Sequence, residues 1–280
     1  MASIGGAVRR IKKYYGSAKK RLAPERRAYE GIVRLVPEIS SYKVWTIDWL
    51  YTLAKERGCS SLRNYYALLK SNKAEQDYLR KNLTMSGSHF FRGDKWDFFH
   101  DECLSTFAGK TDIEVWCAGC SSGQEVYSTL VMLLDYVTLD DVSVLATDYN
   151  DELLDKCEAG SYFKMHLWEV PEQYRRYLDL GENKFTFKDE IRSVVRTGVV
   201  DLIFDEYPGP FDVIVCRNVI KFFAPPVIAE CKRKLVSSLK PGGYLYVSTD
   251  ESHGNLELID DPAAFGVVEV GEGCGIYRKL

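Results

Sequence analysis

A glycine-containing turn at residues 115–125, with the sequence VWCAGCSSGQE, is the first candidate for a binding site. The pattern predicts a strand that ends near Gly119 and a short loop that leads through Gly123 into a helix. Glycine at such a turn allows the backbone to approach a ligand closely. The spacing matches neither the dinucleotide fingerprint G-x-G-x-x-G nor a P-loop. Taken alone, the motif is equally typical of an ordinary strand-to-helix turn.

An acidic residue at the end of the next predicted strand supports ligand binding. The apolar run 142–147 is followed by Asp148, 25 residues after Gly123. An acid in this position of a βαβ unit can accept hydrogen bonds from both ribose hydroxyls of a nucleoside. The alternative is that Asp148 caps the helix that is predicted to begin near Asp151. Together, the loop and the acid predict an adenosine-containing cofactor at the carboxyl ends of the strands.

Two arginines would supply positive charge near these strand ends. Arg217 and Asn218 follow an apolar strand at 212–216, so they are expected to face the same crevice. Arg92 follows two phenylalanines, which is an unusual setting for an arginine unless it pairs with a carboxylate. The alternatives are a structural ion pair for Arg217 and a surface position for Arg92.

The elements that must position these residues follow two patterns. Residues 28–92 show helical periodicity without strand-like alternation, which predicts a small all-helical domain. Within residues 93–280, apolar strands alternate with amphipathic helices, which predicts an α/β fold with a parallel, doubly wound sheet. Two C-terminal strands joined by a glycine-rich turn would add an antiparallel edge. Short alternating strands at about 180–198 predict a small β-subdomain.

The first 27 residues form a basic extension. They carry nine Lys or Arg residues and one acid, Glu25. Apolar residues recur at helical spacing, so the extension is predicted to be a basic amphipathic helix. Such a helix is either a solvated terminus or a segment that docks on an acidic partner or an anionic membrane surface.

Composition argues against several classes of protein. The net charge of −3 does not indicate nucleic-acid binding. No apolar run approaches the roughly 18 residues that cross a bilayer, and no signal peptide is recognised, so a cytoplasmic protein is expected. A monomer is expected as well, although the sequence does not determine the oligomeric state. The eight cysteines are scattered, which predicts reduced thiols. The single CxxC at 117–120 lacks the second pair of ligands that structural zinc needs, so no metal site is predicted.

Several motifs resemble the chemotaxis receptor methyltransferases, the CheR family. Phe90-Phe91-Arg92 matches the family's signature at the start of the catalytic domain. The other similar segments are 114–130, Leu145-Ala-Thr-Asp, Gly160-Ser-Tyr, Phe211-Asp-Val-Ile-Val-Cys-Arg-Asn-Val and Lys240-Pro-Gly-Gly-Tyr-Leu. The resemblance covers roughly residues 30 to 280 in one order without a large gap. These motifs, taken together in register, are highly specific, whereas any one of them alone would not be.

The resemblance implies a Rossmann-like methyltransferase domain with a small β-subdomain, preceded by a helical domain that docks on the substrate. The implied cofactor is S-adenosylmethionine, with S-adenosylhomocysteine as its product. The implied reaction esterifies glutamate side chains on the cytoplasmic helices of a chemoreceptor or another acidic protein. Arg92 and Arg217 would serve in catalysis. The cofactor would be bound by Ser86, Ser88, Arg92, Gly119, Glu125, Asp148, Asp201, Leu202, Arg217 and Asn218.

Some positions depart from the family's pattern. The family usually has Asn and Thr in place of Ser86 and Ser88, Glu in place of Gln124, and Asn in place of Asp201. A tyrosine associated with the active site is replaced by Phe222. These departures leave two alternatives open. One is a methyltransferase of the same fold that acts on another protein or a small molecule, and the other is a non-catalytic module that binds the cofactor.

Overall fold

The structure, a computed structural model, describes residues 25–42, 46–83, 87–93, 95–247 and 258–280. The predicted basic helix in the first 27 residues therefore lies almost entirely outside the described residues. The chain divides into two compact units. The first unit comprises residues 1–86 and 221–229, and the second comprises residues 87–220 and 230–280.

The described part of the first unit is built mainly from α-helices. These are α1 (Arg26–Leu35), α2 (Thr46–Glu56), α3 (Leu62–Ser71) and α4 (Lys73–Lys81). The side chains of Ser61 and Asn72 cap α3 and α4 by accepting hydrogen bonds from backbone N–H groups. Glu75 is buried in α4, where it pairs with Arg57 at 3.0 Å and accepts a hydrogen bond from the Tyr65 hydroxyl at 3.1 Å. These partners compensate the cost of burying the carboxylate.

The second unit contains most of the strands and longer helices of the described chain. A helical stretch covers Trp96–Phe98, Phe99–Cys103 and Leu104–Phe107. The α-helices that follow are α5 (Gln124–Leu133), α6 (Asp151–Ala159), α7 (Asp189–Ser193) and α8 (Pro225–Ser237), whose first residues belong to the first unit. The strands are β1 (Ile113–Ala118), β2 (Val142–Asp148), β3 (Ser161–Phe163), β4 (Leu178–Leu180), β5 (Lys184–Phe187), β6 (Val195–Val199), β7 (Phe211–Val215), β8 (Leu239–Tyr246), β9 (Val267–Glu269) and β10 (Ile276–Lys279).

Seven of the described strands form one sheet in the order β6-β2-β1-β7-β8-β10-β9. The first five run parallel, and β10 is antiparallel to both β8 and β9. At the centre, Val115 pairs with Val144 on one side and with Val213 on the other, and all three side chains are fully buried. Burial on both faces explains why the central strands are continuous apolar runs. The predicted α/β fold with an antiparallel C-terminal edge is confirmed.

The remaining three strands form a small antiparallel sheet in the order β3-β5-β4. This sheet spans residues 161–187 and not the predicted 180–198. Phe185 and Phe187 are buried in the core beside it, whereas Val195–Val199 pairs in parallel with β2 in the main sheet. The predicted range was wrong because alternation identifies a strand without indicating which sheet the strand joins.

Two further findings concern the described residues as a group. None of their helices has the length and apolar character needed to cross a membrane. Their His, Cys, Asp and Glu side chains do not form a group of three or more that could hold a metal ion. All eight cysteines are unpaired thiols in the structure.

Candidate functional site

Most of the predicted site residues lie at one edge of the seven-stranded sheet. Strands β6, β2, β1 and β7 are parallel neighbours, so their carboxyl ends meet at the same edge. Residues at or just beyond these ends are Asp201 and Leu202 after β6, Asp148 in β2, Gly119 after β1, and Arg217 and Asn218 after β7. In open α/β sheets, ligands bind in the crevice outside the carboxyl ends of the strands.

The loop between β1 and α5 depends on its glycines. Gly119 has φ +71°, and a Cβ atom there would lie 2.6 Å from a methyl group of Val219. Gly123 has φ +91°, and a Cβ atom there would lie 2.6 Å from the sulfur of Cys157. Both the left-handed backbone and the close approach therefore require glycine. Between them, Ser121 also has a positive φ, and its buried hydroxyl has no hydrogen-bond partner among the described residues.

Asp148 binds the backbone of this loop. Its two carboxylate oxygens accept hydrogen bonds from the N–H groups of Ser121, at 2.9 Å, and Asn150, at 3.0 Å. Burial raises the pKa of Asp148, the backbone bonds oppose this effect, and the charge of nearby Asp201 adds to it. Helix α6 is capped by Asn150, whose side chain accepts from the N–H of Glu152 at 3.1 Å. The alternative role of Asp148 as a helix cap is therefore wrong.

Arg217 links two parts of the site. Its side chain is 3% exposed, and its Nη1 donates to Glu125 at 2.5 Å. Its Nη2 donates to the backbone carbonyl of Arg92 at 2.7 Å. The guanidinium carbon lies 5.0 Å from the ring centre of Trp96 and 4.6 Å from that of Tyr246. The ion pair that was an alternative for Arg217 does exist, but its partner is itself a predicted cofactor residue.

The turn that bears Arg92 has an unusual backbone. Phe91 has φ +46° and Gly93 has φ +96°. The N–H of Phe91 donates to the hydroxyl of Ser128 at 3.1 Å, and its ring stacks on Tyr174 with 5.4 Å between centroids. Arg92 is half-buried at this turn, so the surface-linker alternative does not describe its environment.

The other predicted residues are less closely tied to this network. Ser86 lies outside the described residues, and Ser88 is half-buried in the segment before the turn. The side chain of Leu202 is buried, and its carbonyl accepts a hydrogen bond from the Tyr207 hydroxyl at 2.6 Å. Asn218 has φ +58°, a conformation that asparagine tolerates better than most residues.

Three residues at the site are absent from the sequence prediction: Trp96, Tyr246 and Ser121. Trp96 lies at the start of a helix, four residues after Arg92. This spacing can bring the Trp96 side chain to the Arg92 backbone, so the sequence could have predicted the contact. Tyr246 ends β8, the parallel neighbour of β7, so its place beside Arg217 follows only once the strand order is known.

Phe222, which replaces the family's tyrosine, belongs to the first unit. It ends the short helical turn Ile220–Phe222, where the ammonium group of Lys221 lies 5.3 Å from its ring centre. In the same segment, Phe223 packs edge-on against Tyr42 with 5.4 Å between ring centroids.

The residues at the strand ends fit S-adenosylmethionine, the cofactor that the resemblance implies. The ribose of this molecule carries hydroxyl groups and its methionine part carries an ammonium group. Asp148 and Glu125 provide carboxylate acceptors for donors of these two kinds. Among the described residues, the buried Ser121 hydroxyl and Arg217 Nε lack hydrogen-bond partners, which a polar ligand would supply.

Comparison with known proteins agrees with this fit. Residues 86–261 match the family model for the S-adenosylmethionine-binding domain of CheR methyltransferases. A chemotaxis protein methyltransferase of Listeria innocua is 30% identical over 72% of this chain and 77% of its own length. The Escherichia coli protein of the same name is 32% identical over 71% of this chain and 73% of its own length. A Vibrio parahaemolyticus relative is 36% identical, but the match covers only 56% of that protein. The family match spans more than half of the chain and includes the strand ends described above, so the chain belongs to the CheR family of S-adenosylmethionine-dependent methyltransferases.

Proposed function

We propose that the protein transfers a methyl group from S-adenosylmethionine to glutamate side-chain carboxylates of a chemoreceptor, giving glutamyl methyl esters. The name shared by the relatives, chemotaxis protein methyltransferase, supports a methyltransferase that acts in chemotaxis. The observation that carries the carboxylate acceptor is the hydrogen bond between Arg217 and the carbonyl of Arg92. This bond holds the turn that bears Arg92 beside the ion pair of Arg217 and Glu125, and the Arg92 guanidinium would attract a carboxylate but repel a protonated amine.

The proposed chemistry needs no general base. A glutamate has a reference pKa of about 4.3, so at neutral pH its carboxylate is already a nucleophile. When bound, the cofactor supplies an electrophilic methyl group on a sulfonium. An amine acceptor would instead have to lose a proton first. His100 offers no free ring nitrogen for that task, because its nitrogens contact Asp101 at 2.7 Å and Asp135 at 3.2 Å.

Arg92 is proposed to orient the acceptor carboxylate without binding it tightly. The reaction neutralises the carboxylate, so a strong bidentate ion pair would stabilise the ground state more than the transition state. Arg92→Lys keeps the charge but loses the planar fork, and we expect it to lower kcat. Arg196→Lys is a matched control on the exposed surface of β6, where the arginine side chain is 67% exposed. Full turnover by Arg92→Lys would contradict the orienting role.

The decisive experiment is transfer of radiolabelled methyl from S-adenosylmethionine to a chemoreceptor cytoplasmic fragment, followed by alkaline treatment. Carboxyl methyl esters hydrolyse in base and release volatile methanol, whereas N-methyl groups persist. Incorporation that base releases would support the proposal. Base-stable label would indicate an amine acceptor. No incorporation, together with calorimetric binding of S-adenosylhomocysteine, would indicate another acceptor or a binding role.

A further inference from the structure

Trp96 contacts both arginines of the proposed site. Its indole N–H donates to the carbonyl of Arg92 at 2.9 Å, and its ring centre lies 5.0 Å from the guanidinium carbon of Arg217. The same carbonyl accepts the hydrogen bond from Arg217 Nη2 at 2.7 Å. Trp96 is 3% exposed. The three residues therefore contact one another. The side chain of Trp96 contacts the backbone of Arg92 and the side chain of Arg217.

The turn that carries Arg92 needs such support. An aromatic residue with positive φ, such as Phe91, is costly and persists only where its surroundings over-determine the conformation. A cavity of about 210 Å³ adjoins the turn and is lined in part by Phe91, Gly93 and Trp96. The Phe91 ring stacks on Tyr174, which holds one end of the turn. The two hydrogen bonds to the Arg92 carbonyl hold its other end.

The guanidinium of Arg217 is held by aromatic rings as well as by its ion pair. The rings of Trp96 and Tyr246 meet edge-on, with 5.6 Å between centroids and an interplanar angle of 76°, and both lie near the guanidinium. Cation–π contacts are strongest where, as here, the cation is removed from water. The rings thereby keep Arg217 directed at Glu125.

We propose that Trp96 is a positioning residue with two separable actions. Its indole N–H fixes the turn that presents Arg92 to the methyl acceptor. Its ring face, together with Tyr246, holds Arg217 against Glu125 on the cofactor side. This inference rests on the proposed function, in which Arg92 orients the acceptor carboxylate and Glu125 binds the ammonium group of the cofactor.

Trp96→Phe tests the first action, because it keeps an aromatic face and removes the N–H donor. We expect kcat to fall about three- to tenfold, the equivalent of one ordinary hydrogen bond, with the KM for S-adenosylmethionine changed less than about twofold. Trp49→Phe is the matched control in the first unit, where the indole N–H donates to the backbone carbonyl of Asn82 at 2.6 Å. The control should leave kcat unchanged.

Trp96→Leu tests the second action, because it removes the ring face as well. We expect the Kd for S-adenosylhomocysteine, measured by calorimetry, to rise about five- to tenfold in Trp96→Leu and to stay near the wild-type value in Trp96→Phe. Equal Kd values in the two variants would overturn the ring-face role. Should Trp96→Leu fail to fold, Trp96→Tyr and Tyr246→Leu together provide the same comparison.

A double-mutant cycle distinguishes positioning of Arg92 from a merely structural role. If Trp96 acts through Arg92, Trp96→Phe should lower kcat less than about twofold in an Arg92→Lys background. The inference would be overturned if the effects of Trp96→Phe and Arg92→Lys on kcat were fully additive. It would also be overturned if Trp96→Phe had the same kcat as the control Trp49→Phe. Failure of the proposed function looks different: the wild type would then not methylate the receptor fragment. The binding comparison between the Phe and Leu variants would still decide the ring-face role.

Discussion

We expect the protonation state of the Asp148 carboxylate to control cofactor binding. Burial raises its pKa, so it takes up a proton at a higher pH than an ordinary aspartate. The affinity for S-adenosylhomocysteine should therefore fall, as the pH is lowered, before the usual aspartate range is reached. Asp148→Asn should weaken binding about ten- to hundredfold at neutral pH, because the charge-assisted hydrogen bonds that we propose Asp148 makes to the ribose would be lost.

Calorimetric titrations at a series of pH values would check this expectation. The effect of Asp148 is the difference between the wild-type profile and that of Asp148→Asn. Asp151→Asn is a suitable control because Asp151 is an exposed acid in the first turn of α6. Identical pH profiles for wild type and Asp148→Asn would show that Asp148 does not control the affinity.

The hydroxyl that the family's tyrosine would supply can be restored by Phe222→Tyr. If the hydroxyl makes one hydrogen bond in the transition state, kcat should rise about fivefold, which corresponds to about 1 kcal/mol. Steady-state methylation of the receptor fragment measures the change. Phe204→Tyr adds the same hydroxyl to a side chain that is 57% exposed and should leave kcat unaltered. An unchanged kcat in Phe222→Tyr would mean that a tyrosine hydroxyl at this position does not contribute to catalysis in this protein.

At the scale of secondary-structure elements, Gly119 in the β1–α5 loop has a matched comparison in Gly109, which lies before β1. Gly109 and Gly119 both have φ +71°, but a Cβ atom at Gly109 meets nothing within 4 Å, whereas one at Gly119 would lie 2.6 Å from Val219. Gly109→Ala should lower the free energy of unfolding by about 1 kcal/mol, the cost of the left-handed backbone. Gly119→Ala should lower it by at least about 1 kcal/mol more, because of the clash.

Urea unfolding measures both costs, and calorimetry shows their consequence for the cofactor. Only Gly119→Ala should weaken binding of S-adenosylhomocysteine, since only that loop lies at the strand ends. Equal costs for the two substitutions would mean that Val219 moves aside and that the close approach does not shape the loop.

The elements also explain what the sequence could predict. The alternation of strands and helices implies parallel pairing, which brings Gly119, Asp148 and Arg217 to one sheet edge without any knowledge of side-chain contacts. Alternation could not assign Val195 to the main sheet, because apolar residues in the neighbouring small sheet follow the same period. Nor could it identify Trp96, whose partner Arg217 lies far along the chain and is placed by the strand order.

At the scale of the whole molecule, charge is unevenly distributed along the chain. Nine of the first 27 residues are Lys or Arg and one is acidic, although the protein as a whole has a net charge of −3. The glutamate-rich substrate of the proposed function would be acidic. Opposite charges accelerate encounter over a distance comparable with the Debye length, which is about 10 Å at 0.1 M salt. The basic extension is therefore expected to increase the rate at which substrate is captured.

Replacing the seven basic residues between positions 9 and 21 with glutamine should lower kcat/KM for the receptor fragment at low salt. The same substitutions should leave the Kd for S-adenosylhomocysteine unchanged, because the residues proposed to bind the cofactor lie elsewhere in the sequence. Raising the salt concentration should lower the wild-type kcat/KM toward that of the variant, since added ions screen the charges of the extension. A wild-type rate that is independent of salt would show that charge steering contributes nothing to substrate capture. A salt-dependent rate that persists in the variant would instead assign the steering to charges elsewhere in the chain.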